Sequence, residues 1–229
     1  MLLLPGLLCD AQVWAHQITA FGHDHRLVVA DFSHGASIST FAEAALDALD
    51  SERFALAGFS MGGYVALEIM RMAPQRVAAL ALLDTSARPD SPEAIELRTK
   101  AIEKAPEHFD AVVRDLLPRL LHPSRAGDAP LIASIVKMAD RIGWAAFVRQ
   151  QQAIMNRIDS RPTLDSIHCP ALILCGDSDL ITPAACSEEL ASRISGARLN
   201  IIMECGHMSL LEKKEEVSSA LKSFFSGLA

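Results

Sequence analysis

The stretch AGFSMGGYVALE, residues 57–68, decides the fold and raises the first chemical question. Ser60 lies between Gly58 and Gly62, directly after an apolar segment and directly before a pattern typical of a helix. A serine on a sharp turn from a strand to a helix has a strained backbone, and glycines two positions away on either side avoid steric clashes. Such a turn would project the Ser60 hydroxyl from the carboxyl edge of a sheet as a nucleophile. The alternative is a serine that caps a helix at an ordinary glycine-rich turn.

Short apolar segments alternate with helical patterns on both sides of this stretch. Continuous apolar strands separated by helices are typical of a parallel sheet that is covered on both faces. We therefore predict an α/β fold, with a mostly parallel sheet of about six strands flanked by helices. The helix after the last strand is predicted to begin with Ser209 and Glu212 in capping-box spacing. The predicted strands lie within residues 1–6, 25–32, 53–60, 76–86, 169–179 and 197–208.

The alternation stops between residues 89 and 167, where helical patterns occur without a convincing strand. It resumes afterwards with further strand and helix patterns. We predict that residues 1–88 and 168–229 form the core of the protein, and that residues 89–167 are a helical cap inserted into it.

A nucleophilic serine needs a general base, and the chain has eight histidines that could supply one. Of these, His207 follows a predicted strand through a glycine, near the C-terminus. A loop in that place would lie at the same sheet edge as Ser60, although His207 taken alone is more simply a surface-loop residue. His168 precedes a strand and would lie at the opposite edge, whereas His108 and His122 are expected on solvated helix faces of the insertion.

The base in turn needs a carboxylate that fixes its tautomer, and three aspartates follow predicted strands. Asp177 and Asp179 follow one strand, and Asp84 follows another. Each could instead be an ordinary turn or capping residue, which is a common use of aspartate. The chain order Ser60, Asp179, His207 is the order expected for nucleophile, acid and base on a fold of this kind.

Two backbone N–H groups are candidates for stabilising an oxyanion beside the serine. The N–H of Met61 would lie at the N-terminus of a helix, where the helix dipole favours negative charge. The second donor should come from the loop after the first strand. Gly6 lets backbone approach a substrate there, and the N–H of Leu7 is the candidate. The alternative is an ordinary turn at Pro5 and Gly6.

Together these segments resemble the α/β-hydrolase superfamily, and the resemblance extends over nearly the whole chain. It is carried by residues 5–7, 58–63, 176–179 and 206–207. In similar proteins the second aspartate of a Gly-Asp-x-Asp turn is usually the acid of a catalytic triad. The resemblance therefore implies that role for Asp179.

The chain departs from the superfamily pattern in two places. Similar proteins often have His-Gly where this chain has Pro5 and Gly6, which affects the support of the loop rather than its backbone N–H. The chain also begins at what resembles the third strand of the superfamily, so we expect the antiparallel first hairpin to be missing and the sheet to be narrower. Among subfamilies, it resembles the small, short-capped carboxylesterases and enol-lactonases.

The resemblance implies a serine hydrolase that cleaves a small carboxylic ester through Ser60, His207 and Asp179. Leu7 and Met61 would form the oxyanion hole, and no metal or cofactor is required. The same triad would also serve for a lactone, thioester, peroxy acid or C–C bond, and a non-enzymatic protein that senses a small ligand could retain it. Apolar side chains of the insertion are expected to affect substrate choice, although such positions more often belong to a core. They are Leu116, Leu117, Leu120, Ile132, Ile135, Trp144 and Phe147.

The composition limits the partners and the compartment. A formal net charge of −7 without a basic block disfavours nucleic acid and anionic membranes as partners. Five scattered cysteines without a Cys-x-x-Cys pair indicate neither a disulfide framework nor a zinc site, so we expect a reducing cytoplasm. The N-terminal segment MLLLPGLLC lacks a positive n-region and is interrupted by proline and glycine, so no secretion signal is expected. The sequence does not fix the oligomeric state.

Overall fold

The chain folds around a six-stranded sheet in the computed structural model, which describes residues 1–22 and 26–226. The strands are β1 (Leu2–Leu4), β2 (Val28–Val29), β3 (Phe54–Phe59), β4 (Val77–Leu83), β5 (Ala171–Gly176) and β6 (Arg198–Ile202). Their order across the sheet is β2-β1-β3-β4-β5-β6, and every neighbouring pair is parallel. The predicted α/β fold is confirmed. Strand β2 is shorter than the predicted segment 25–32, of which His25 lies outside the described residues.

Helices flank the sheet and follow most of its strands. They are α1 (Ala15–Phe21), α2 (Ile38–Asp47), α3 (Met61–Met72), α4 (Pro92–Leu120), α5 (Ala129–Met155), α6 (Arg161–Leu164), α7 (Ala184–Arg193), α8 (Ser209–Glu212) and α9 (Lys214–Ser226). Short 3₁₀ turns occupy Ala11–Trp14, Pro74–Arg76 and Pro123–Arg125. Within the described part of the chain, no helix combines the length and the apolar character needed to cross a bilayer.

The two faces of the sheet are buried in separate apolar clusters, which explains the continuous apolar strands. In β4, Leu80 and Leu82 pack into the cluster that also holds residues of α2, α3 and α7. Ala81 and Leu83, which point to the opposite face, pack with residues of α1 and α9. Because successive side chains of a strand alternate between faces, covering both faces requires apolar residues at every position.

The two long helices α4 and α5 lie between β4 and β5 in the sequence, where only helical patterns were predicted. Residues 89–167 are all described and contain no strand. Both helices are kinked, at His108 (φ −135°) in α4 and at Gly143 (φ 77°) in α5. Between them lies a third apolar cluster that includes Val112 and Phe147. The division of the chain into a core and a cap remains a prediction.

The apolar side chains of this segment are mostly structural. Ile135 and Phe147 are buried in apolar clusters. Trp144, which directly follows the kink in α5, is the exception, with 46% of its side chain exposed. The remaining four predicted residues pack against the same clusters, and they are Leu116, Leu117, Leu120 and Ile132.

The junction between β3 and α3 is packed so closely that only glycine fits at three positions. A Cβ atom on Gly58 would collide with the carbonyl oxygen of Gly62, and one on Gly62 would collide with that of Leu4 in β1. A Cβ on Gly63 would overlap the side chain of Thr85. The first turn of α3 therefore lies directly against the carboxyl ends of β1 and β4, and it fixes where Ser60 lies.

We expect Gly62→Ala to lower the free energy of unfolding by about 2 kcal/mol or more, because backbone atoms of β1 cannot move aside for the new methyl group. Thermal and urea unfolding would measure the change. Gly127→Ala is the matched control, because a Cβ there meets nothing within 4 Å, and its expected effect is within about 1 kcal/mol of the wild type. Equal stabilities of the two variants would contradict the close packing at Gly62.

Candidate active site

Ser60 occupies a strained turn between β3 and α3. Its φ is 53° and its ψ is −116°, and its side chain makes no capping hydrogen bond to α3. The Ser60 N–H donates to the carbonyl of Leu83 at 2.9 Å, and the Ser60 carbonyl accepts from the Gly63 N–H and the Thr85 hydroxyl, both at 2.8 Å. The backbone is thus fixed on both sides while the hydroxyl is left for another partner. The helix-capping interpretation of Ser60 is therefore wrong.

His207 is the partner of the Ser60 hydroxyl. The loop after β6 brings His207 Nε2 to 2.8 Å from Ser60 Oγ. On the other side of the ring, His207 Nδ1 lies 2.7 Å from Asp179 Oδ2. Since an ionised carboxylate only accepts, Nδ1 carries the proton and the lone pair of Nε2 faces the serine. The side chains of His207 and Asp179 are almost completely buried, whereas Ser60 is 9% exposed.

Asp179 is fixed by its own loop. Its Oδ1 accepts from the N–H groups of Ile181 at 2.7 Å and Thr182 at 2.9 Å. Its Oδ2 accepts from the Thr182 hydroxyl at 2.7 Å as well as from His207. Burial alone would raise the pKa of the Asp179 carboxyl, but the His207 ring and the hydrogen bonds from Thr182 outweigh burial and lower it. The acid therefore stays ionised and points at the ring.

The charge of Asp179 sets the protonation of His207. Burial disfavours the imidazolium, but the adjacent carboxylate outweighs burial and raises the pKa of His207 above its ordinary value. Phe59 contributes an apolar neighbour, with its ring centroid 5.5 Å from that of His207. A buried imidazole that is oriented by a carboxylate and bonded to a hydroxyl can take up the proton of that hydroxyl.

The other two candidate acids have different partners. Asp177 accepts from the Cys205 N–H at 3.1 Å and so stabilises the turn after β5. Asp84 accepts from the Gly176 N–H at 3.0 Å and from the Ser209 hydroxyl. Burial, together with the negative charge of Asp179, raises the pKa of the Asp84 carboxyl well above its usual range. In the described part of the chain, neither Asp84 nor Asp177 is hydrogen-bonded to His207.

The two candidate oxyanion donors flank the turn at Ser60. Gly6 packs directly against it, since a Cβ on Gly6 would lie 3.2 Å from the Cβ of Ser60. Met61 is the first residue of α3 and is completely buried, and Leu7 is half-buried. Among the described residues, neither the Leu7 N–H nor the Met61 N–H has a protein acceptor. Both N–H groups are thus left without an acceptor within the described part of the chain.

The three other histidines considered above are placed as follows. His168 is exposed and directly precedes Cys169 and β5, at the edge opposite Ser60. His108 is exposed on α4, as predicted. The prediction for His122 is wrong, because this residue lies beyond the end of α4, where its N–H donates to the Glu212 carboxylate at 2.8 Å.

The predicted capping box at the start of α8 is also wrong, and the difference concerns the site. Glu212 accepts from the N–H of His122 and, at 3.0 Å, from the N–H of Gly206, so it joins the end of α4 to the loop that carries His207. The Leu120 carbonyl strengthens this junction by accepting from the N–H groups of His207 at 2.9 Å and Met208 at 3.2 Å. The capping-box spacing singled out Glu212, but its partner His122 lies 90 positions away and could not be inferred from a local pattern.

Thr182 is a supporting residue that the sequence interpretation missed. It lies three positions after Asp179 and binds both oxygens of that carboxylate. Its hydroxyl is also 3.4 Å from His207 Nδ1. An aspartate followed three residues later by a threonine is a common local hydrogen-bonding pattern, so this contact had a signal in the sequence.

A parallel sheet that carries a hydrogen-bonded serine, histidine and aspartate at its carboxyl edge defines the class of the α/β hydrolases. The chain belongs to the alpha/beta hydrolase family, whose family model matches residues 1–220. The predicted resemblance is thereby confirmed. One relative is the pimeloyl-(acyl-carrier protein) methyl ester esterase of Nitrosomonas europaea, which is 26% identical over 242 aligned positions that cover 96% of this chain and 92% of the relative.

Solved structures lead to the same family. A thermophilic esterase from Thermogutta terrifontis has a TM-score of 0.90 and 28% identity, with 99% of this chain and 89% of that chain covered. The enol-lactonase from Burkholderia xenovorans has a TM-score of 0.88 and 25% identity, with 98% of this chain and 90% of that chain covered. The chain is therefore similar to hydrolases of esters and lactones over almost its full length.

We expect Asp179→Asn to lower the pKa of His207, because burial disfavours the imidazolium and the charge of Asp179, which opposes burial, would be lost. The pH titration of the histidine ring signals by NMR measures this, with the His207 signal assigned from a His207→Gln sample. Asp177→Asn is the control, since an asparagine oxygen can still accept from the Cys205 N–H. A His207 pKa that is unchanged in Asp179→Asn, or lowered equally in both variants, would contradict the pairing.

Proposed function

We propose that the protein hydrolyses small carboxylic esters, with Ser60 as the nucleophile, His207 as the general base and Asp179 as the orienting acid. The observation that carries the proposal is the continuous chain of hydrogen bonds, 2.8 Å from Ser60 Oγ to His207 Nε2 and 2.7 Å from His207 Nδ1 to Asp179 Oδ2. The family membership and the named esterases among the relatives support the same reaction class.

The first half of the proposed reaction forms an acyl-enzyme. His207 Nε2 takes the proton from Ser60 as Oγ bonds to the ester carbonyl carbon, and the carbonyl oxygen becomes an oxyanion. The imidazolium is stabilised by the Asp179 carboxylate at 2.7 Å. The tetrahedral intermediate then collapses, the carbon–oxygen bond to the alcohol breaks, and His207 gives its proton to the leaving alcohol.

The N–H groups of Leu7 and Met61 are proposed to bind the oxyanion. A single donor of this kind typically contributes about 10²–10³-fold to the rate, because it stabilises charge that develops only in the transition state. The Met61 N–H also lies at the N-terminus of α3, whose dipole favours negative charge. Neither donor depends on the side chain at its position.

The second half of the reaction releases the acid. A water molecule takes the place of the alcohol, and His207 removes its proton while the water oxygen attacks the acyl carbon. Collapse of the second tetrahedral intermediate breaks the bond to Ser60 Oγ, which recovers its proton from His207. The chain's own groups are sufficient for every proton transfer in this sequence.

A lactone is the second candidate substrate, and the observation that favours it is the similarity to the enol-lactonase. The chemistry would differ only in that the leaving alcohol stays tethered to the acyl group. Turnover of simple lactones measured beside that of esters with the same acyl chain would rank the two substrates.

We expect the wild-type protein to hydrolyse short p-nitrophenyl esters, and Ser60→Ala to lower kcat by at least about 10⁴-fold. Ser51→Ala, a substitution at an exposed serine that precedes β3 and so lies at the sheet edge opposite Ser60, should retain wild-type kcat. A fluorophosphonate should label Ser60, as read by mass spectrometry, and labelling should be lost in His207→Ala. Absence of turnover by the wild type on esters, thioesters and lactones would contradict the proposal.

The acid limb of the pH profile is a second test. General base catalysis requires neutral His207, so kcat/KM should fall as the pH drops through the His207 pKa. Burial opposes protonation, but the Asp179 carboxylate outweighs it and raises this pKa, so the limb should lie above the ordinary histidine value of 6.5. Steady-state kinetics across pH would measure it, and Asp179→Asn should also lower kcat by about 10⁴-fold. A limb below 6.5 would contradict the assignment.

A further inference from the structure

The turn that follows β1 has a backbone conformation that its own sequence does not favour. The Cys9 N–H donates to the Gly6 carbonyl at 3.2 Å, which closes a four-residue turn with Leu7 and Leu8 at its centre. Leu8 has a φ of 59°, in the left-handed region. Such a conformation is unfavourable for a residue other than glycine, so the surroundings must stabilise it.

Gln150 of helix α5 is hydrogen-bonded to this turn. The Leu8 N–H donates to Gln150 Oε1 at 3.0 Å, and Gln150 Nε2 donates to the Phe32 carbonyl at 3.0 Å. Gln150 is completely buried, so these two partners fix both ends of its side-chain amide. The Leu8 side chain is held at the same time, because it packs into the apolar cluster that contains Val112 and Phe147.

The start of the turn supplies only part of its support. Pro5 has no N–H and no polar side-chain atom, so it can donate no hydrogen bond to hold the residues that follow. Within the turn, the Gly6 carbonyl accepts from the Cys9 N–H, and the Leu7 carbonyl accepts from Cys9 Sγ at 3.4 Å. The Leu8 N–H depends on Gln150, and loss of the Gln150 amide would leave this N–H and the Phe32 carbonyl buried without those partners.

We propose that Gln150 is a positioning residue for the oxyanion loop, and the proposal rests on the ester hydrolysis proposed above. By holding Leu8 in its left-handed conformation, Gln150 keeps the preceding Leu7 N–H directed at the space beside Ser60. It acts through the loop and touches no reacting atom. The long helical segment would therefore contribute to transition-state stabilisation as well as to the surroundings of the substrate.

Gln151 provides a matched control for the test. It is the next residue on the same helix and is also buried, but its Oε1 accepts from Arg98 Nη1 at 2.6 Å instead of from the loop. Gln150→Met and Gln151→Met are changes of the same kind and similar volume. If both glutamines only stabilise the fold, the two variants should lose stability and activity to a similar extent. If Gln150 positions the loop, only Gln150→Met should lower kcat.

In ester hydrolysis, we expect Gln150→Met to lower kcat by about 10–100-fold, less than the loss of a whole oxyanion donor, with KM changed by less than about threefold. Affinity for a trifluoromethyl ketone, which forms an oxyanion on Ser60, should fall by the same factor as kcat. Gln151→Met should keep both values near those of the wild type.

Gln150→Glu keeps an oxygen acceptor for the Leu8 N–H, so it should retain more activity than Gln150→Met. If Gln150→Met does not fold, Gln150→Glu takes its place in the test.

Amide hydrogen exchange tests the loop independently of turnover. The exchange of the Leu8 N–H should become faster in Gln150→Met and stay unchanged in Gln151→Met. Unchanged kcat in folded Gln150→Met, an equal fall in Gln151→Met, or an effect confined to KM would overturn the proposal. If the wild type hydrolyses no ester, the proposed function fails, whereas unchanged exchange at Leu8 shows that Gln150 does not hold the loop.

Discussion

The left-handed backbone of Ser60 is the constraint on which the site depends. With a φ of 53°, Ser60 is in a conformation that an isolated chain would avoid. It persists because its N–H is bonded to β4, its carbonyl is held by Gly63 and Thr85, and Gly62 packs onto β1. The central strands thus stabilise the turn. The turn places the Ser60 hydroxyl at the carboxyl edge of the sheet, where the loops after β1, β5 and β6 also lie.

The surroundings of the buried aspartates explain which of their carboxyl groups is ionised. Asp179 remains ionised because His207 and the loop at Thr182 supply hydrogen bonds and charge that water would otherwise supply. The Asp84 carboxyl is not hydrogen-bonded to His207 in the described part of the chain, and burial together with the charge of Asp179 raises its pKa, which favours the neutral form and avoids two adjacent negative charges. The three candidate aspartates therefore differ in the charges and donors that the fold places around each carboxyl.

The sequence predicted the parts of the fold and the candidate site that have local signals. The glycines around Ser60 and the glycine before His207 follow apolar strands, so their sheet edge could be inferred. Asp179 required a family resemblance, because periodicity alone could not separate it from its neighbours. The contacts of Gln150 and Glu212 could not be inferred from the sequence, because Gln150 is hydrogen-bonded to a residue 142 positions away and Glu212 to one 90 positions away. Only the folded chain brings each of these pairs together.

Two hydrogen-bonded attachments limit how α4 and α5 could move relative to the sheet. The Leu120 carbonyl at the end of α4 is bonded to the backbone of His207, and Gln150 in α5 is bonded to Leu8. A rigid-body swing of the whole segment would break both attachments and dismantle the arrangement around Ser60. A movement of this segment that keeps both attachments is therefore confined to the part between them, where the kink at Gly143 interrupts α5. Exchange of this segment between relatives would succeed only if both anchoring contacts were transferred with it.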